Sequence, residues 1–401
     1  MNYRWKYLKY KHKYLNQKKL ILIGAAENSD SAESSKDSTN TPTITQANNH
    51  FTIDLFENFD GASNLFSPLS IIYTLSLVHI AANGNTDRQL TKVIGYKHTI
   101  DDLKYLNGLF NNAVMSMCTT TVINRKYQIN NEYLTLISPL SKIIYEDFEN
   151  GALISNKINH SIETTTNGMI KNVIQPSIIN PSSFLILINT IYFKASWLHK
   201  FNVRETTKMK FHKTPEMVDV MHQINDFNYF ENSSIQMIEL PYDEKDYVMG
   251  IILPKKYLEE ENLAYSINNV PIISEPQLNE FINNTQLQKI DLYLPKFTHR
   301  KRIELPAILK KMGLTNIFDR RLAELDIISK EIYVSNIIHE AVVIVDEIGT
   351  EAAATTVVVM EKKLMLTRPV KPILFKADHA FVFYIRYVPS NLILFFGDYQ
   401  G

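Results

Sequence analysis

Cysteine is nearly missing from this 401-residue chain. Cys118 stands alone, so no internal disulfide can form, and with no basic environment or general base suggested beside it the thiol reads as a small apolar side chain. A chain of this length buries enough surface to do without covalent staples, so the shortage says little about compartment. Neither sign of charge is in excess: Lys+Arg and Asp+Glu both number 42, which argues against nucleic-acid binding across the whole surface. No run approaches the roughly 18 apolar residues needed to span a membrane. The twelve glycines build neither a G-x-S-x-G nucleophile elbow nor a phosphate-binding loop. None of the eleven histidines has another four residues away, and Val343 stands where a helical zinc-protease motif beginning at His339-Glu340 would need its second histidine. A triad dispersed along the chain is not addressed by spacing, and nothing in the sequence supports one.

What is present suits one large α+β domain. The chain is 45% hydrophobic and 21% charged, in the range of a globular protein with a sizeable core. Residues 1–26 carry seven Lys/Arg, five aromatic residues and no acid, and end in Leu20-Ile21-Leu22-Ile23-Gly24-Ala25-Ala26. A basic region, a short apolar run and small residues match a secretory signal loosely, with a basic N-terminal arm or a misplaced start codon as alternatives. Residues 27–49 are rich in Ser, Thr and Asn and read as a disordered linker, which leaves 50–401 as the domain, opening near Phe51. The balance of features favours a secreted, extracellular protein, with a cytoplasmic one as the alternative. Three glycosylation sequons occur, at Asn159, Asn232 and Asn283. Asn159 is expected on a helix packed against a sheet and unused, the other two on loops.

Ser67-Pro68 with Ser70 opens an apolar helix to His79, with proline near its first turn. Leu309 to Met312 followed by Gly313 reads as a helix end and its stop. Phe184 to Phe193 is a continuous apolar run suited to a strand buried on both faces. Phe381 to Phe396 holds two β-rich runs broken at Pro389-Ser390-Asn391, a hairpin. Helices early and strands late favour α+β, and no internal repeat appears.

The run Glu347-Ile348-Gly349-Thr350-Glu351-Ala352-Ala353-Ala354-Thr355-Thr356-Val357-Val358-Val359-Met360 passes from small, permissive residues to strand formers without a proline. Gly349 supplies a point where the backbone turns without a Cβ penalty. With a period of two, Thr350, Ala352, Ala354, Thr356, Val358 and Met360 share one uncharged face, while Glu351 and Glu361 fall on the other. Such a strand can enter the middle of a sheet, because neither a charge nor a missing N–H opposes it. The same residues also suit an ordinary Ala/Thr/Val core strand, and the stretch alone leaves both readings open.

An ordered series of motifs surrounds it. Ser67-Pro68-Leu69-Ser70-Ile71, Ala82-Asn83-Gly84-Asn85-Thr86 and Thr166-Asn167-Gly168-Met169-Ile170 come first. Asn189-Thr190-Ile191-Tyr192-Phe193-Lys194 follows, with Trp197 and Phe201, then Glu239-Leu240-Pro241-Tyr242, Leu294-Pro295-Lys296-Phe297, and Met312-Gly313 with Phe318. His339-Glu340-Ala341, Ala377-Asp378-His379-Ala380-Phe381 and Ile393-Leu394-Phe395-Phe396-Gly397 complete it. About ten motifs in this order make residues 50–401 resemble the serpin family. Departures are few: Ala81 for glycine, Ser161 for an aromatic residue, Glu340 for lysine, Ala380 for proline, and Asp398 for arginine or lysine.

The resemblance implies a serpin fold, with helices packed on a large, mostly antiparallel central sheet, smaller sheets and an exposed reactive-centre loop. It implies an inhibitor and not an enzyme, a monomer with no cofactor or metal, whose partner is a target serine protease held as a covalent acyl complex. Cleavage of the loop lets its N-terminal part insert into the main sheet as a new strand. The implied hinge is Glu347, Gly349, Thr350, Glu351, Ala352, Ala353, Ala354, Thr355 and Thr356. Ser67, Ser70, Asn189 and His339 are implied to form a hydrogen-bonded cluster where the sheet must open. Counting by the family's loop length places the reactive bond at Lys363-Leu364, bait for a trypsin-like protease. A longer segment to Phe381 leaves sites up to Arg368 open, although Pro369 disfavours cleavage after Arg368. Leu364 or Met365 would instead suit chymotrypsin-like or papain-like cysteine proteases. The alternative class is a non-inhibitory serpin acting as carrier, chaperone or storage protein, for which a charged or bulky residue at 350, 352 or 354 would argue; none is there. Heparin activation finds no dense basic stripe in residues 100–145.

Overall fold

The computed structural model describes residues 43–61, 63–212, 214–255, 266–267, 270–271, 273–350 and 371–401. In chain order the first half comprises α1 (Ile44–Glu57), β1 (Leu65–Phe66), α2 (Pro68–His79), α3 (Gly84–Ile94), α4 (Ile100–Phe110), β2 (Met115–Asn124), α5 (Asn131–Ile137), β3 (Lys142–Glu146), α6 (Gly151–Thr165), β4 (Leu185–Phe193), β5 (Ala195–Ser196) and β6 (Thr207–Lys210). There follow β7 (Met217–Glu231), β8 (Ile235–Pro241), β9 (Tyr247–Pro254), β10 (Ser266–Ile267), β11 (Val270–Pro271), α7 (Glu275–Asn283), β12 (Gln286–Pro295), β13 (Phe297–Glu304), α8 (Pro306–Lys311), β14 (Val334–Val345), β15 (Gly349–Thr350), β16 (Ile373–Lys376), β17 (Phe381–Tyr387) and β18 (Leu392–Tyr399).

The strands form two large sheets and the β10–β11 hairpin. Fifteen-residue β7 pairs with β12 along its middle and with β8 at its end, so the nine-stranded sheet runs β1-β18-β17-β9-β8-β7-β12-β16, with β6 beside β7. The seven-stranded sheet runs β3-β2-β4-β14-β15-β5, with β13 on β14. Both sheets are mostly antiparallel, but β4 and β14 at the centre of the second are parallel.

Helix α2 is buried along its whole length and touches β4 of one sheet and β18 of the other. Ser67 caps it through its hydroxyl and Pro68 occupies the first helical position, where its missing N–H costs nothing. The opposite face of the seven-stranded sheet is covered by α6. Ile154, Ile158 and Ile162 of that helix pack with Val122, Ile186, Ile188, Ile338 and Val342 from the strands beneath. Successive side chains of β4 therefore alternate between two cores: Leu185, Leu187, Ile191 and Phe193 face the main one, Ile186 and Ile188 the one under α6. This is the strand buried on both faces that the apolar run predicts.

The hairpin appears as β17 and β18, turning through Asn391 at φ 58°, and α8 stops at Gly313, φ 98°. Two boundaries differ from expectation. Residues 44–49, read as linker, are the first turns of α1: Thr43 and Gln46 form a capping box, and the amides of Asn48 and Asn49 hold the β18 end at Ile393 and Asn391 at 2.9 and 2.8 Å. Polar composition suggested disorder there because the partners of these asparagines lie some 340 residues away. Asn283, expected on a loop, ends α7, while Asn232 sits in the exposed turn after β7. Asn159 lies on α6 and uses both ends of its amide on the backbone of Ile174. No described helix is long and apolar enough to cross a membrane.

Candidate functional site

The centre of the seven-stranded sheet holds a seam. From Leu185/Val334 to Tyr192/Val342, β4 and β14 are directly paired and parallel. Beyond that point they part, and β15 lies between them, antiparallel to β14 through Val345–Thr350 and to β5, the continuation of β4, through Gly349–Ser196 and Thr350–Ala195. Gly349 and Thr350 thus occupy the top of the seam.

Local chemistry holds them there. The Asp346 carboxylate accepts from the N–H groups of Ile348 and Gly349 at 2.8 and 3.0 Å and closes the turn from β14 into β15. Trp197 donates through its indole to the Asp346 carbonyl and through its backbone to that of Ile348, both at 2.8 Å. A Cβ at Gly349 would lie 2.1 Å from the Ala195 carbonyl oxygen and 2.6 Å from Ser196 Cα. Glycine is required for this close approach and not, as the sequence suggests, for a turn, since its φ is not in the left-handed region. Thr350 is fully buried, its hydroxyl 2.6 Å from that of Tyr242, whose ring stacks on Trp197. Glu347 is buried too. Burial opposes its charge, but hydrogen bonds from Lys296 and Thr206, both at 2.8 Å, outweigh this and hold its carboxyl below the ordinary range.

Lower in the seam, His339 of β14 is opposite Asn189 of β4. Nε2 of His339 accepts from the backbone N–H of Ser67 at 3.0 Å, so the proton sits on Nδ1, which donates to Asn189 Oδ1 at 3.0 Å. Complete burial pushes the imidazole pKa down to about 3, and the ring is neutral. Asn189 Nδ2 donates to Thr119 on β2 at 3.2 Å. Of the four residues expected to cluster, Asn189 and His339 bond directly, and Ser67 contributes its N–H because its hydroxyl is used to cap α2. Ser70 hydrogen-bonds to neither: its hydroxyl donates to the Ser67 carbonyl at 3.1 Å and steadies the cap. Sequence reasoning did not assign Thr119, Trp197, Tyr242, Lys296 or Asp346 a role. Trp197, Tyr242 and Lys296 sit inside quoted motifs, whereas Thr119 carries no local signal. Glu351, Ala352, Ala353, Ala354, Thr355, Thr356, Lys363 and Leu364 lie outside the described residues.

The family model described as serpin (serine protease inhibitor) matches residues 46–400. The chain belongs to the serpin family. An uncharacterized serpin-like protein of Acanthamoeba polyphaga mimivirus is 51% identical over the full length of both chains. The leukocyte elastase inhibitor of Equus caballus is 30% identical, covering 89% of this chain and 99% of its own. Among solved structures, Serpin48 of the insect Tenebrio molitor superposes with a TM-score of 0.76 at 25% identity, covering 91% of this serpin and 99% of that chain. Two departures from the serpin pattern find local compensation. Asp398 is buried and accepts from the N–H groups of Ser63 and Asn64. Glu340 is buried against Arg300 of β13.

Proposed function

We propose that this serpin inhibits a trypsin-like serine protease by presenting Lys363-Leu364 as bait and inserting the cleaved loop between β4 and β14. The register at the top of the seam supports this reading. Thr350 stands opposite both Val345 and Ala195; each residue further along the loop then opposes one residue further back on β14 and on β4. Ala352 falls opposite Val343 and Phe193, Ala354 opposite Ala341 and Ile191, and Thr356 opposite His339 and Asn189. Each flanking pair is already matched across the closed seam or continues its register, so one strand fits both sides without a slip.

Even-numbered loop residues then take the core face with Val345, Val343, Ala341 and His339, and none of them is charged. Thr356 enters between His339 and Asn189, where its hydroxyl accepts from Nδ1 and donates to Oδ1, replacing the bond that the strand breaks. One parallel contact becomes two antiparallel ones, which are more stable per residue. Lysine at 363 suits a specificity pocket carrying a carboxylate. Secretion is supported by the basic and then apolar residues 1–26 and by the exposed sequon at Asn232.

Incubation with trypsin-, chymotrypsin- and papain-like proteases tests the reading. A covalent complex stable on a denaturing gel, with a new N-terminus at Leu364 and a loss of complex in Lys363→Glu, is expected. Cleavage by every protease without such a complex refutes inhibition.

A further inference from the structure

One face of the closed seam is covered by a layer that touches both of its sides. Beneath α6 and the segment that follows it, residues 166–174, a single apolar core collects Val122 of β2, Ile144 of β3 and Ile188 of β4 together with Ile338 and Val342 of β14. Strands β2, β3 and β4 lie on one side of the seam, β14 and β13 on the other. Polar contacts fasten the layer at each side. On the first, Lys142 of β3 donates to Ser161 of α6 at 2.6 Å, and Lys157 of α6 pairs with Glu146 of β3. The segment is held to α6 in turn, by the Asn159 amide on the backbone of Ile174 and by the Lys171–Glu163 ion pair at 2.7 Å. On the second side, Arg300 and Arg302 of β13 donate to the carbonyls of Lys171 and Val173.

Glu340 completes the second side. It is buried in β14, and one of its carboxylate oxygens accepts from Arg300 Nε. The other, Oε2, is buried without a hydrogen-bond partner among the described residues. A carboxylate placed so is costly to its own strand, and its one printed contact orients the guanidinium that reaches Lys171. We propose that these contacts form a bolt across the seam: Arg300, oriented by Glu340, and Arg302 lock residues 166–174 to β13, so that β4 and β14 part only when those bonds break. Ser161 and Glu340, both departures from the serpin pattern, sit at its opposite ends. Hydrogen bonds from a charged donor are stronger than neutral ones, so two of them add a cost to parting the strands that packing alone does not supply. The bolt belongs to the uncut protein; only its effect on inhibition rests on the insertion reading, in which a strand has to enter here.

Hydrogen exchange of the full, uncut chain tests the bolt. The double variant Arg300→Met/Glu340→Leu removes the link without leaving a buried carboxylate unpaired. Its backbone amides in residues 185–193 and 334–342 are expected to exchange about tenfold faster, the equivalent of one hydrogen bond to a charged group, while those of β17 and β18 keep their rate. Arg302→Met, which leaves Arg300 and Glu340 in place, is expected to act in the same direction, and Glu340→Gln, which keeps an acceptor for Arg300, to stay slow. Unchanged exchange in both the double variant and Arg302→Met refutes the bolt. Equal acceleration in β17 and β18 refutes it as well, because the variants then lower only global stability. Incubation with a trypsin-like protease separates the two readings. If neither the unaltered protein nor any variant forms a covalent complex, the insertion reading fails while the exchange result stands. If the double variant opens faster but forms complex no faster, the hold of the bolt on strand entry is refuted.

Discussion

Replacing Thr350 by arginine is expected to turn the proposed inhibitor into a substrate. Thr350 is fully buried between Val345 and Ala195 and shares a 2.6 Å hydrogen bond with Tyr242. Its loss leaves a buried tyrosine hydroxyl without this partner, a cost of about 1–3 kcal/mol. A guanidinium forced into the same place adds several kcal/mol of desolvation, so about 5 kcal/mol opposes the first step of insertion. Even half of that, on the barrier, slows insertion about 70-fold. Hydrolysis of the acyl-enzyme then wins the competition. The assay is equimolar incubation with a trypsin-like protease, followed by the fraction of chain in covalent complex against the fraction merely cut. Nearly complete cutting with little complex is expected. Before any protease is added, the emission of Trp197 should change, because its indole holds the Asp346 carbonyl and its ring stacks on Tyr242; Trp5 is the other tryptophan. An undiminished yield of complex from this variant would refute the idea that the strand must enter through position 350.

Gly349→Val should displace β15 from the seam in the uncut protein, because its Cβ would meet the Ala195 carbonyl at 2.1 Å. A tryptophan emission change like that of Thr350→Arg is expected, and an unaltered spectrum would show that the backbones do not approach so closely in solution. Acid should destabilise the uncut protein through His339. Its pKa is about 3 when folded against about 6.5 in the unfolded chain, so the unfolded chain takes up the proton first as pH falls. The stability contributed by the neutral ring is complete above about pH 6.5 and is lost progressively toward pH 3, about 2 kcal/mol of it by pH 5. Urea unfolding at pH 7 and pH 5 measures this, and His339→Gln should lose that much less between the two; equal losses would show that the imidazole is not held neutral.

Much of the architecture was legible because its signals are local. Pro68 after Ser67 announced α2, Gly313 announced the end of α8, and the apolar run from Phe184 announced a strand with two buried faces. Where the signal was not local, reading from the sequence failed. The asparagines of α1 look like linker residues until β18 supplies their partners, and Gly349 looks like a turn residue until β5 passes against it. Ser70 belongs to a motif beside His339 in the fold, yet the capping geometry of α2 turns its hydroxyl onto the Ser67 carbonyl.

For the hinge, the division is clear. Alternation along a strand is a property of the chain, so the uncharged face of residues 350–360 follows from the order of the amino acids alone. Which strands flank that face, and at which residue each partner stands, depends on pairings between distant segments. His339 and Asn189 are 150 residues apart, and only the closed sheet brings them to one hydrogen bond. The parallel seam, the two residues of β15 seated in it and the buried Oε2 of Glu340, unpartnered among the described residues, come from that packing. Side-chain order sets what a strand of these residues is able to bury, and tertiary pairing decides which residues flank the seam it would enter.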